Sequence, residues 1–205
     1  LPTEHLADSQ KIQRFSREAS YTRKLSHPNI AAVLDDGADD KHHYLVMEYV
    51  EGHDLAEVLQ QLGPIPVALA LDYIAQTANG LEYAHRKGIV HRDIKPSNLL
   101  LDGEGNIKIL DMGLARIGGA LDQEASLHLT TTGQVMGTVE YMSPEQAASK
   151  AVDHRTDQFS LGAILYEMAS GRFAFKRETA ILTLASIIEK APASLADERA
   201  LPNDL

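Results

Sequence analysis

In the stretch HRDIKPSN at 91–98, a carboxylate, an ammonium group and a primary amide stand close together as Asp93, Lys95 and Asn98. The stretch lies between a long helical pattern and a hairpin pattern, so it reads as a loop. In such a grouping the carboxylate can orient a hydroxyl and accept its proton. The lysine can neutralise a phosphate, and the amide oxygen can ligate Mg²⁺. A solvated polar turn is the simpler reading of any one of these residues alone. A second carboxylate argues against it: Asp111 follows the apolar run IKIL at 107–110 and directly precedes Met112–Gly113. An acid leaving a buried strand is costly unless it meets a cation or hydrogen-bond donors. Together, Asn98 and Asp111 would make a hard-cation site of oxygen ligands.

The elements that must position these groups follow from periodicity. Residues 8–25 open on the cap-like Asp8–Ser9 and place Ile12, Phe15, Ala19 and Thr22 at helical spacing. SHPN at 26–29 stops that helix. IAAVL at 30–34 and YLVMEYV at 44–50 read as a hairpin around the turn-rich DDGADDKHH. From about residue 55 helices dominate: Leu71, Ile74, Ala75 and Ala78 mark an apolar stripe that continues to Leu81, and Gly88 ends it. LLL and IKI within 99–109 flank DGEGN as a second hairpin, and a Gly/Thr-rich loop spans about 116–138. Two more helices are expected at 157–169 and 179–190. A small strand-containing part before a larger helical part predicts an α+β fold in two lobes.

Composition narrows the function classes. The 205 residues are 44% hydrophobic and 23% charged, as in ordinary globular proteins. Nineteen basic against 29 acidic residues give a net charge of −10, which disfavours nucleic acid as a partner. No apolar run approaches membrane-spanning length. With no cysteine there is no disulfide, thiolate metal site or thiol nucleophile. The nine histidines are scattered, and the adjacent His42–His43 would point apart on a strand. The chain begins at Leu1 without a leader, so it is expected to be an excerpt of a longer cytoplasmic protein, with any membrane tether outside it.

HRDIKPSN, then DMG at 111–113, GTVEYMSPE at 137–145 and DQFSLG at 157–162 resemble, in order and spacing, the signatures of eukaryotic-type protein kinases. The bacterial serine/threonine branch is the nearest likeness. The resemblance implies the kinase-like two-lobe fold, with residues 1–50 a partial small lobe and 51–205 a large lobe short of its last helices. It implies ATP and Mg²⁺ as cofactors and a protein bearing a serine or threonine acceptor as partner, with a homodimer for autophosphorylation.

Site residues carry over from the resemblance position by position. Asp93 takes the part of the base and Lys95 that of the γ-phosphate contact, with Asn98 and Asp111 on Mg²⁺. Glu18 matches the acid that pairs with the ATP-gripping lysine. Met47 is the gatekeeper, the backbone of Glu48 and Val50 meets adenine, Asp54 meets ribose and Leu100 floors the base. Thr138 bridges to Asp93 and Lys95, Glu145 awaits an arginine, and Arg92 would receive a phosphate placed on Thr130 or Thr132 of the loop. Met112 stands where phenylalanine is usual, Ser143 where alanine is, and Phe159 where tryptophan is. No glycine-rich loop or strand lysine precedes Glu18, and the arginine partner of Glu145 is expected beyond the other end. The isolated stretch is therefore expected to be a poor enzyme. A non-catalytic interaction module of the same fold is the alternative reading. A small-molecule kinase is disfavoured by GTVEYMSPE, which resembles a peptide-holding platform.

Overall fold

The computed structural model describes residues 22–39, 42–112 and 138–195. The helix expected over 8–25 lies almost wholly outside the described residues. Strand β1 (Val33–Ala38) runs antiparallel to β2 (His43–Met47), with Val33 opposite Met47, Ala38 opposite His43 and a bulge between Val33 and Asp35. The hairpin is as expected, but its first strand lies further along than 30–34. Ile30 and Ala31 are drawn away to the large lobe, where Ile30 bridges Ile109 and the Ala31 amide donates to the Ile109 carbonyl at 2.9 Å. Asp35 and Asp36, read as turn residues, instead lie in β1 and pair with Arg23 at 3.2 and 2.9 Å.

A short strand that the sequence did not announce, β3 (Gly52–Asp54), pairs with β4 (Leu99–Asp102), which pairs in turn with β5 (Ile107–Ile109). Gly-His-Asp has little strand propensity of its own; the neighbouring strand imposes the conformation. Any side chain at Gly52 would bring its Cβ within 2.0 Å of the Leu101 carbonyl oxygen, so only glycine lets β3 approach. The β4–β5 turn closes on Asp102, whose Oδ1 accepts from the amides of Glu104 and Asn106 at 2.9 and 2.8 Å.

Helix α1 (Leu55–Leu62) is capped by Asp54, and α2 (Val67–Arg86) follows Pro66. The buried stripe of α2 is Ala70, Tyr73, Thr77, Gly80, Leu81 and Ala84; of the stripe expected from hydrophobicity, Leu81 is buried and Ile74 and Ala78 are half-buried against the core, while Ala75 is exposed and Leu71 is 40% exposed. Size decides this. The small residues of the first stripe let α2 approach β5 and helix α4 (His154–Ser170) closely. α4 begins at the Asp153 cap and is buried on most of its circumference, while α3 (Pro144–Ala147) and α5 (Ala180–Glu189) pack together beside it. Ile30, Leu55, Ile94, Leu99, Ile107, Ile109, Ile164 and Met168 are the fully buried centre of the main core. A second cluster of Val139, Tyr166, Phe175, Leu184 and Ile187 seats the 139–147 segment, and Phe159 stacks on Phe175 at 5.5 Å. The result is α+β: helices with two small antiparallel sheets.

Candidate active site

Ile94 is 1% exposed and pins the centre of the 91–98 loop into the core. Its neighbours on either side reach outward. The Lys95 ammonium lies 2.8 Å from Asp93 Oδ2, with the two side chains 26% and 49% exposed. A single 3₁₀ turn at Pro96–Asn98 then brings Asn98 back under Asp93. The Asn98 Nδ2 donates to the Asp93 carbonyl at 2.7 Å and to its Oδ2 at 3.2 Å. With its nitrogen committed to Asp93, the Asn98 amide has its oxygen left as a ligand for a cation.

Asp111 is brought to this loop through the residue before it. The Leu110 amide donates to the Asn98 carbonyl at 2.9 Å, and the Leu110 carbonyl accepts from His91 Nε2 at 2.8 Å. A carbonyl can only accept, so His91 carries its proton on Nε2, and Nδ1 accepts the Asp93 amide at 3.2 Å. His91 is 1% exposed, and its bonds to the Leu110 carbonyl and the Asp93 amide make its place in the loop structural. Asp111 leaves the apolar strand directly after Leu110. It is exposed, and its left-handed backbone (φ 55°) turns it away from the core just after the strand ends. Met112 takes the buried place at 2% exposure, its carbonyl accepting from the Thr22 hydroxyl at 3.1 Å.

Two residues that sequence reasoning gave no role hold the loop from below. Asp157, wholly buried in the first turn of α4, accepts the His91 amide at 2.9 Å, the Arg92 amide at 2.7 Å and His85 Nε2 at 2.7 Å. These bonds fasten Arg92 in a left-handed conformation (φ 70°) directly before Asp93. Gln146 donates to the Arg92 carbonyl at 2.7 Å while completing a capping box with Ser143. The spacing Ser-Pro-Glu-Gln was the available signal for this cap. It also accounts for a serine at 143: its hydroxyl caps α3 and lies 3.3 Å from the Thr156 hydroxyl.

Glu145 was expected to be a lone carboxylate. Instead its Oε1 accepts from the Thr156 hydroxyl at 2.7 Å. Burial pushes its pKa upward, but bonds from Thr156, its own amide and Ser143 outweigh that and hold it below the ordinary carboxylate range. Thr138 is exposed and, among the described residues, makes no bond to Asp93 or Lys95, whose charges meet each other instead. Glu18, Thr130 and Thr132 lie outside the described residues.

The residues assigned to a nucleotide gather along the junction of the two sheets. Met47 ends β2 half-buried. The Glu48 amide donates to the Ala32 carbonyl at 2.9 Å, so its carbonyl is the backbone group it can offer outward. Val50 lies in the link to β3. Asp54 and Leu100 face each other in register on β3 and β4, and Asp54 Oδ1 also caps α1 by accepting the Glu57 amide at 2.9 Å. The oxygen donors of Asn98 and Asp111 suit Mg²⁺, which keeps water and phosphate oxygens in its remaining positions. Among the described residues, no cluster of three or more histidine, cysteine or acidic side chains could hold a metal unaided.

A family profile described as the protein kinase domain matches residues 2–202. The chain belongs to the protein kinase family. The serine/threonine-protein kinase PrkC of Bacillus subtilis is 41% identical over 181 residues, covering 88% of this chain and 27% of that protein. A probable serine/threonine-protein kinase of Clostridium perfringens is 38% identical over 206 residues, covering 100% of this chain and 29% of its own length. PknL of Mycobacterium tuberculosis is 36% identical over 181 residues, covering 88% of this chain and 44% of that protein. The chain thus spans less than half the length of each of these relatives. No helix among the described residues is long and apolar enough to cross a membrane.

Proposed function

We propose that this kinase domain transfers the γ-phosphoryl group of ATP to serine and threonine hydroxyls of protein substrates, with Mg²⁺ bound alongside the nucleotide. The supporting observation is that Asp93, Lys95, Asn98 and Asp111 ride on one continuously hydrogen-bonded stretch of backbone, through Asn98–Asp93 and Asn98–Leu110. Asp93 accepts a hydrogen bond from the substrate hydroxyl and takes its proton as the oxygen attacks. Lys95, 2.8 Å from Asp93 Oδ2, neutralises charge on the moving phosphoryl group. Asn98 and Asp111 would hold Mg²⁺, which when bound offsets charge on the phosphate oxygens. The Glu48 carbonyl and the Val50 amide meet adenine, with Met47 beside it, Leu100 beneath it and Asp54 at the ribose. Arg92 meets phosphate on Thr130 or Thr132, acquired by transfer between two copies of the protein, and Thr138 supports the substrate.

The test is phosphoryl transfer by the full-length protein to itself and to serine- and threonine-containing peptides. Asp93→Asn should lower turnover on the order of 10²-fold or more, since catalysis here rests on positioning and charge. Unchanged turnover would refute the assignment. Mass spectrometry of the same reactions reads the loop, and phosphate absent from both Thr130 and Thr132 removes the proposed role of Arg92.

A further inference from the structure

Lys108 and Glu48 form an ion pair that the chemistry above does not use. Lys108 is the middle residue of β5, three positions before Asp111, and Glu48 directly follows β2. Nζ and Oε1 are 2.7 Å apart across a sequence separation of 60, with side chains only 21% and 29% exposed. The same Glu48 oxygen accepts the Ala32 amide at 2.9 Å.

The backbone around this pair forms a strap between the lobes. The Ile109 amide donates to the Asn29 carbonyl and the Ala31 amide to the Ile109 carbonyl, both at 2.9 Å. The Glu48 amide donates to the Ala32 carbonyl at the same distance. Segment 29–32 is therefore fastened to β5 on one side and to Glu48 on the other, and Lys108 closes the ring between them. The exposed pair Arg86–Glu82, with side chains 75% and 60% exposed, is a useful contrast. Solvent screens that pair strongly, whereas the partial burial of Lys108–Glu48 preserves more of its attraction. Glu48 reflects this: burial pushes its carboxyl upward, yet Lys108 and the Ala32 amide hold it below its ordinary value.

We infer that Lys108 is a positioning residue for the nucleotide. Its ammonium locks the Glu48 side chain to β5, so the Glu48 carbonyl and the strand leading to Asp111 keep one mutual geometry. The inference rests on the nucleotide assignment under Proposed function. Lys108 touches none of the reacting groups, so its loss acts on nucleotide affinity rather than on the transfer step.

The experiment is steady-state kinetics on the full-length protein with varied Mg·ATP, together with thermal unfolding of each variant. Lys108→Met keeps the length of the side chain and removes its charge. KM for ATP should rise about fivefold, the scale of a partly screened ion pair, with kcat within about twofold of wild type. Lys108→Arg should restore most of the affinity. Glu48→Gln should match Lys108→Met, and the double variant should be no worse than either single one. Arg86→Met, which breaks the exposed pair, should leave KM unchanged. A Lys108→Met enzyme with wild-type KM, or additive losses in the double variant, overturns the inference while leaving the kinase reading intact. A wild-type protein that does not turn over ATP overturns that reading, and this inference with it.

Discussion

Asp157→Asn would show how much of the active loop's shape depends on one buried carboxylate. In the native structure Oδ1 takes the Arg92 amide, while Oδ2 takes the His91 amide and His85 Nε2. Asparagine offers a single oxygen, and its NH₂ must face one of two backbone N–H groups, donor against donor. His85 can change tautomer and accept, but the amides of His91 and Arg92 cannot. At least one charge-assisted bond is lost and the other becomes neutral. At about 1.5–3 kcal/mol for each such bond, the cost is roughly 3–5 kcal/mol. In a domain of this size that lowers Tm by about 6–20 °C. The left-handed Arg92 backbone, itself costing roughly 1–3 kcal/mol, loses its restraint and relaxes, displacing Asp93 beside it. Thermal unfolding and phosphoryl-transfer kinetics on the full-length protein read both effects: a lowered Tm, and a kcat that falls more than KM for ATP changes. If Tm stays within about 2 °C of wild type and turnover is unaltered, Asp157 does not anchor the loop.

Two further outcomes test the packing and the electrostatics. Gly80→Ala on α2 places a Cβ 2.8 Å from Ile109 Cδ1 and 3.0 Å from the Asn29 carbonyl, so it should destabilise by about 1–3 kcal/mol, against the usual gain for alanine in a helix; denaturant unfolding with an unchanged midpoint would disprove this close approach. Glu167, which accepts the Tyr141 hydroxyl at 2.5 Å, is pushed above its ordinary value chiefly by burial, despite that bond. A carboxyl whose folded value exceeds its unfolded one favours folding when protonated, so its ionised form weakens the fold at neutral pH and the penalty fades as pH falls through the raised value. Glu167→Gln keeps an acceptor for Tyr141 and should be at least as stable as wild type at pH 7, with any advantage vanishing near pH 4; a clear loss of Tm at pH 7 would contradict this.

Most of what could be learned from the sequence was local. The two hairpins, the long helices and the loop bearing Asp93, Lys95 and Asn98 follow from periodicity, turn chemistry and the residues of the loop itself. Hydrophobicity was only partly right on α2, where Leu81, Ile74 and Ala78 pack on the core but Leu71 and Ala75 do not. It failed on β3, where Gly-His-Asp becomes a strand because β4 offers it a partner. Nor does hydrophobicity indicate the left-handed backbone with which Asp111 leaves its strand.

By itself the sequence determined which groups could act: an acid, a lysine and an amide in one loop, and a second acid at the end of a strand. Those identities depend only on residue type and short spacing. Tertiary structure decided how the groups are held. Asp157, sixty-six residues from the His91 amide it accepts, and Lys108, sixty residues from Glu48, reach their partners only when helix and strand are packed. Gln146 and Thr156 likewise take their roles from what the fold sets beside them, the Arg92 carbonyl and the Glu145 carboxylate. A buried carboxylate or half-buried ion pair is stable only where the chain brings donors to it from elsewhere, and no local pattern encodes that meeting.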